Sequence, residues 1–227
     1  MKEYRQQKFE APEGATEIIL VRHGESRAAT SDNPFPLVDG HGDPELAPQG
    51  KQQAVAVGER LRHLPISAIY ATSLRRTVET AGPLCEHLGI AHRVEPDLRE
   101  VHLGDWEGGL FRIKAHENDP IFLQMQQEQR WDVIPGAESI EVLRQRVARG
   151  LANIVAAHPN ELVVAVVHGG VIGHIIAEAT GATPFAFNGC DNGSISKIVI
   201  NEGRTIVRGF NDVNHLGTDQ SLNAMPT

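Results

Sequence analysis

The sequence predicts one three-layer α/β/α domain on a mostly parallel central sheet. Three observations carry that expectation. Short runs rich in valine and isoleucine alternate with longer segments of helical periodicity, an order that puts helices on both faces of a sheet. Two of those runs, Ile18–Val21 and Leu162–Val167, carry no polar residue and fit strands buried on both faces. The 227 residues are 41% hydrophobic, enough for one sizeable core, and no repeat, low-complexity segment or linker divides them.

Taken in order, residues 1–15 are polar, contain Pro12 and Gly14, and read as a flexible lead-in. Ile18–Val21 is the first strand and runs into Arg22-His23-Gly24. Residues 24–47 are rich in Gly, Pro, Asp and Asn and form a long loop, a length usually reserved for function or disorder. Pro48 opens a helix reaching about His63. Ile66–Tyr70 is a second strand. Thr72 or Ser73 caps the next helix, which carries Val78, Ala81, Leu84, Cys85 and Leu88 on one face and stops at Gly89. Pro83 inside it is a candidate kink. Residues 97–136 mix Gly, Pro and Trp and are expected to form short helices over the mouth of a site.

Ile140, Leu143, Val147, Leu151 and Ile154 mark the apolar face of a long helix stopped near Pro159. Leu162–Val167 is a strand ending in His168-Gly169. Gly170–Thr180 is a helix with Gly181 past its end. Ser194–Ile200 and Thr205–Phe210 form a closing strand pair around Asn201-Glu202-Gly203. The polar tail, 211–227, is expected to be loose.

The net charge of −8 disfavours nucleic acid and anionic membranes, so an anionic substrate needs a local positive pocket. Cys85 and Cys190 lie far apart and form no metal-ligand spacing. The N-terminal segment has no apolar core of a signal peptide, and no apolar run approaches the ~20 residues that span a bilayer. These features predict a soluble, cytoplasmic protein with reduced thiols, no nucleic-acid or membrane partner, and an oligomeric state in which a homodimer stays open.

The chemistry is concentrated where two buried strands each end in His-Gly. In sheets of this kind ligands bind beyond the carboxyl ends of the strands. If the two strands are parallel neighbours, His23 and His168 share that edge. A lone histidine at a strand end is ordinarily a polar terminator; two, one preceded by arginine, point to a site. A neutral imidazole, with an ordinary pKa of about 6.5, is a nucleophile near neutral pH. It can attack phosphorus and carry the phosphoryl group as phosphohistidine. The three oxygens in transfer need fixed positive donors, and the planar fork of arginine binds two at once.

Leu20-Val21-Arg22-His23-Gly24-Glu25-Ser26 resembles the RHG signature of the histidine phosphatase superfamily. That family includes cofactor-dependent phosphoglycerate mutases, fructose-2,6-bisphosphatases and many small-molecule phosphatases. The resemblance spans most of residues 17–200. Ser73-Leu74-Arg75-Arg76-Thr77-Val78-Glu79-Thr80-Ala81 is similar to the second signature, and on that register Arg76, not Arg75, binds phosphate. Asp97-Leu98-Arg99-Glu100, continuing to Gly104-Asp105-Trp106-Glu107-Gly108, resembles the segment whose first glutamate, here Glu100, is the proton donor. Val167-His168-Gly169-Gly170 resembles the second histidine motif.

The resemblance implies a phosphoglycerate mutase-like fold and hydrolysis of a small phosphorylated metabolite through phosphohistidine. His23, Glu100 and His168 would be catalytic, with Arg22, Arg76 and Gly169 on the phosphate, and no metal or cofactor. Gly24, Gly169 and Gly170 would let backbone approach the phosphate closely. Where family members often carry Asn, six residues after the nucleophile, this chain has Ala29, which leaves Asn33 or a backbone N–H as stand-ins.

Other residues have plainer readings. Arg75 is a solvated helix charge, Cys85 and Trp106 are packing residues, and Asp105 and Glu107 are loop carboxylates. His41, Asp43 and His102 match no standard metal spacing, and Glu25 has no assigned role. Two alternatives remain. A mutase would need basic residues to hold a substrate carboxylate, including an adjacent Arg-Arg pair in its family pattern. After Glu100 the same stretch here offers only Arg112, Lys114 and Arg130. A non-catalytic phospho-ligand module is disfavoured by the presence of both histidines, both arginines and Glu100.

Overall fold

β-Branched runs supply the strands of the structure, a computed structural model that describes residues 3–217. In chain order these are β1 (Thr16–Arg22), a two-residue pair β2 (Leu37–Val38) and β3 (His41–Gly42), β4 (Ile66–Ala71), β5 (Arg93–Val94), β6 (Leu162–Val167), β7 (Ile195–Asn201) and β8 (Arg204–Asp212). The helices are α1 (Pro48–Leu61), α2 (Arg75–Leu88), α3 (Leu110–His116), α4 (Pro120–Glu128), α5 (Ile140–Ala157) and α6 (Gly169–Thr180). The main sheet runs β5-β4-β6-β1-β7-β8. Its first four strands are parallel, and β7 and β8 add an antiparallel edge. The mostly parallel α/β architecture expected from the alternating pattern is therefore present.

Side chains alternate across the sheet. Ile18 and Leu20 pack with Val163, Ala165, Val167 and Ile198 against α5 and α6. Ile19 and Val21 pack with Ile69, Val164 and Val166 against α1 and α2. Ile18 and Leu20 are fully buried, and each such side chain contributes about 1.5–3 kcal/mol. Burial on both faces explains why these strands read as unbroken apolar runs rather than alternating ones.

Register then sets the site. Arg22 lies opposite Val167, so His23 and His168 leave the sheet side by side at its carboxyl edge. The amide of His23 continues the ladder, donating to the Val167 carbonyl at 3.0 Å.

Several local expectations change. Neither Thr72 nor Ser73 caps α2 as its N-cap residue: that position is Leu74, with no side-chain cap. The Thr72 hydroxyl instead accepts from the Leu74 amide (3.3 Å) and meets His168, a use that outcompetes a helix cap. As expected, α2 runs through Pro83 to Leu88 and stops at Gly89, which is in the left-handed conformation. Pro83 lies against Gly58 of α1, where an added Cβ would sit 3.1 Å away. Cys85, partly buried, packs against the core beneath α1 and α2 as a packing residue should, and Cys190 is fully buried.

The long loop contains β2 and β3. The 97–136 stretch holds α3, α4 and three short 3-10 turns, stitched by ring contacts among Trp106, Phe111, Phe122, Trp131 and Phe185. Trp106 is buried among them, as a packing residue should be. Order also extends beyond Phe210. β8 reaches Asp212, and a 3-10 turn at Asn214–Leu216 follows, with His215 Nε2 at 3.0 Å from the Gly193 carbonyl. The rest of the expected tail, 218–227, and residues 1–2 of the lead-in lie outside the described residues. Among the described residues no helix is long and apolar enough to cross a membrane.

Candidate active site

At the end of β1 the chain turns sharply, and the turn is tied down from three sides. Asn192 Nδ2 donates to the His23 carbonyl (2.9 Å), and the Gly193 amide bridges the carbonyls of Arg22 (3.0 Å) and His23 (3.3 Å). The Gly24 amide donates to Thr80 Oγ1 of α2 (3.0 Å). Gly24 was expected to let backbone approach a phosphate, but the structure gives another reason. A Cβ there would lie 2.4 Å from the Gly50 carbonyl oxygen, so packing of the loop on the start of α1 requires glycine.

His23 is buried, and its Nδ1 is 2.7 Å from the Gly24 carbonyl. A carbonyl only accepts, so Nδ1 carries the proton and Nε2 keeps its lone pair. Arg76 Nε donates to that Nε2 at 3.2 Å, while Arg76 Nη1 holds the Gly42 carbonyl at 2.8 Å. Burial first, then repulsion from Arg76 and Arg22, pushes the His23 pKa well below its ordinary value, and the contact with Gly24 opposes this only in part. His23 is thus a neutral imidazole whose unprotonated ring nitrogen accepts from a guanidinium.

The His168 ring stands edge-on to His23, with centroids 5.2 Å apart. Its Nε2 is 3.1 Å from Thr72 Oγ1. The same Thr72 oxygen lies 2.9 Å from Thr77 Oγ1, whose own hydroxyl goes to the Leu74 carbonyl at 2.7 Å. His168 Nδ1 is buried and has no protein partner. Burial, followed by Arg76 and His23, lowers the His168 pKa well below the ordinary value. Arg22 Nη1 donates to the Cys190 carbonyl, while its Nε is likewise buried and unpartnered. The buried Arg22 Nε and His168 Nδ1, both without a protein partner, form with Arg76 a cradle beside His23 suited to an oxyanion.

Glu100 reaches the same place from the loop before Trp106. One carboxylate oxygen accepts from its neighbour Val101 (3.0 Å), and the other lies 3.5 Å from the amide of Gly170 in the first turn of α6. Gly169 and Gly170 make room here. A Cβ on Gly169 would lie 3.2 Å from Arg22 Nε, and one on Gly170 would lie 2.8 Å from Glu100 Oε1. Arg22, His23, Arg76, Glu100, His168 and Gly169 are therefore gathered at one edge of the sheet. Arg75, by contrast, is exposed and pairs with Glu79 and Glu45.

Sequence reasoning missed two contributors. Arg112 opens α3, where its Nη2 donates to the buried Ser26 Oγ (2.7 Å) and its Nη1 to the Arg27 carbonyl (3.0 Å). Solvent still reaches it, yet desolvation and then Arg76 and Arg22 lower its pKa to about 10. It lines an open pocket with Ala28 and Ala29. Ala29 packs on Gly109, where a Cβ would lie 3.0 Å away, and Asn33 is exposed with its carbonyl turned to Arg27. Glu107, expected to be a plain loop carboxylate, accepts from the amides of Gly42 (2.7 Å) and Leu103 (2.9 Å). It thereby clasps the strand that holds Arg76. Neither role has a local sequence signal, because both depend on contacts between distant segments.

The family signature known as histidine phosphatase superfamily (branch 1) matches residues 18–213, and the chain belongs to that superfamily. A metal-independent phosphoserine phosphatase of Arabidopsis thaliana is 31% identical over 207 residues, covering 89% of this chain and 84% of that protein. Phosphoglycerate mutase-like protein 4 of the same plant is 40% identical over 160 residues, covering 69% of this chain and 67% of its own length. Among solved structures, the mycobacterial glucosyl-3-phosphoglycerate phosphatase superposes with a TM-score of 0.71 at 29% identity, covering 87% of this chain and 99% of its own.

Proposed function

We propose that this protein hydrolyses phosphomonoesters of small metabolites through a phosphohistidine formed on His23. The state of His23 carries the reading: Nδ1 is committed to the Gly24 carbonyl, burial and two arginines keep the ring neutral, and Nε2 is left to attack. In the first half-reaction Nε2 bonds to phosphorus and the ester oxygen leaves. With the His168 ring proton on Nδ1, Arg22, Arg76 and His168 hold the equatorial oxygens, whose charge they balance as it shifts. Glu100 gives its proton to the leaving oxygen. In the second half-reaction the same carboxylate takes a proton from water, which attacks the phosphohistidine and frees phosphate and His23.

Arginines supply the positive field, so no metal is needed in this scheme; the name of the Arabidopsis phosphoserine phosphatase describes that enzyme as metal-independent. Arg112 supports a substrate bearing a second anionic group on the leaving side, as phosphoserine does with its carboxylate. The protein acts in the cytoplasm on this reading, in keeping with its sequence.

The deciding test is a rapid quench in alkaline detergent after mixing with a labelled phosphate ester. The wild type is expected to carry base-stable, acid-labile label and to turn over, and His23→Ala to do neither. Turnover by His23→Ala would refute the scheme. Mutase chemistry is disfavoured because no Arg-Arg pair follows Glu100. Interconversion of 3- and 2-phosphoglycerate faster than phosphate release from any ester would reverse that preference.

A further inference from the structure

Outside the cradle, one buried ion pair spends all its hydrogen-bonding capacity on a single loop. Arg146 of α5 has five N–H donors, and all five are used. Nη1 donates to the carbonyls of Asp97 (2.9 Å) and Arg99 (2.6 Å), and Nη2 to the carbonyl of Glu100 itself (2.9 Å). Nε (3.0 Å) and the remaining Nη2 proton go to the carboxylate of Glu138. The side chains of Arg146 and Glu138 are only 13% and 8% exposed. Glu138 also accepts the His102 amide (2.8 Å) and donates its own amide to the His102 carbonyl (2.9 Å).

The pair thus grips the chain on both sides of Glu100 from 36 to 49 positions away in sequence. The segment it holds starts at Asp97 in the 3-10 turn Pro96–Leu98 and runs on through Arg99 and Glu100 toward the turn at Gly104–Trp106; past the first turn it belongs to no helix or strand. Its carbonyls have no ladder to join, and a buried carbonyl left unpaired is costly. One planar guanidinium satisfies three of them at once, a geometry that an ammonium cannot copy.

We infer that Arg146, braced by Glu138, is the positioning residue that aims the Glu100 carboxyl at the leaving group. The inference rests on the acid role proposed for Glu100. It makes no contact with substrate and works only through that loop. A loosened loop misplaces the proton donor, and a misplacement of about 1 Å costs on the order of a hundredfold in a step that depends on it. A leaving group of low pKa departs without the proton and does not register the error.

The test compares kcat/KM on an alkyl ester, phosphoserine, with that on p-nitrophenyl phosphate, for Glu100→Gln, Arg146→Lys, Glu138→Gln and Glu100→Gln/Arg146→Lys. Arg146→Lys and Glu138→Gln are expected to lose about 10- to 100-fold on the alkyl ester and under about threefold on the aryl ester. In the double variant Arg146→Lys is expected to add no further alkyl-selective loss, because its route runs through Glu100. Equal losses on both esters in Arg146→Lys and Glu138→Gln, with Glu100→Gln alkyl-selective, would overturn the positioning role and leave the acid in place. So would full activity of both variants. Equal losses in Glu100→Gln itself would overturn the acid assignment and the inference with it. Should Arg146→Lys fail to fold, Glu138→Gln, which keeps the shape of the side chain, still decides between these outcomes.

Discussion

Removing Arg76 tests the cradle and the electrostatics of the nucleophile together. Arg76 is 6% exposed, donates through Nε to His23 Nε2, and is fixed by the Gly42 carbonyl. One preorganised donor to a developing charge is worth about 2.7–4 kcal/mol, and 1.36 kcal/mol is a factor of ten. Arg76→Ala is therefore expected to lower kcat/KM by about 10²- to 10³-fold. The exposed neighbour Arg75, paired with Glu79 and Glu45, is a surface ion pair worth about 0–1 kcal/mol, so Arg75→Ala should stay within about fivefold. Arg76 is also, after burial, the largest influence holding the His23 pKa down. Its loss should let that pKa rise, so the acid limb of the kcat/KM profile moves to higher pH. The assay is phosphate release from p-nitrophenyl phosphate between pH 4 and 9. A mild Arg76→Ala with a severe Arg75→Ala would refute the placement, and an unmoved acid limb would refute the electrostatic account of His23.

Gly24→Ala forces its Cβ against the Gly50 carbonyl oxygen at 2.4 Å, and such overpacking costs about 1–3 kcal/mol, visible as a lowered melting temperature together with lost turnover. An unchanged melting curve would show that the turn yields freely. His23 and His168 both have folded pKa values below the unfolded value of about 6.5. Below that pH the unfolded chain binds protons that the fold excludes, so stability falls as pH falls, by about 1.4 kcal/mol per pH unit for each histidine. Urea titrations from pH 7 to 5 should give a shallower slope for His168→Gln than for the wild type. Arg112→Ala is expected to raise KM for phosphoserine by about 10- to 100-fold and to spare p-nitrophenyl phosphate, the scale of a lost hydrogen bond to a charged group. Excess EDTA should leave the rate unchanged; recovery of a chelated enzyme by Mg²⁺ or Zn²⁺ would contradict the scheme.

The sheet was legible because its strands are buried on both faces, so the two runs ending in His-Gly stood out without alternation. Their common edge followed from parallel pairing, a rule about topology rather than about residues. Thr72 was misread because capping chemistry is local, while its partner His168 lies 96 positions away. The same limit hid Arg112, Arg146 and Glu107, each an ordinary charge in its own window. Gly24 was recognised as special, but for the wrong neighbour: the close approach is to Gly50, which only the folded turn brings near.

The pairing of β1 has a consequence for how the chain is made. β1 finds its sheet partners only in β6 and β7, strands that begin at Leu162 and Ile195. A ribosome adding 5–20 residues per second needs on the order of 10 to 40 s to deliver them. Until Leu162–Val167 has emerged, an apolar segment that ends in the nucleophile has neither edge covered. The loop bearing Asn192 and Gly193, which ties down the His23 turn, arrives just ahead of the last strands. The phosphate cradle therefore assembles only after Asn192 and Gly193 have emerged, and a shorter nascent chain holds no competent site to trap a metabolite. The same delay makes the unfinished chain depend on protection from aggregation, since long-range pairing of this kind is slow and exposed.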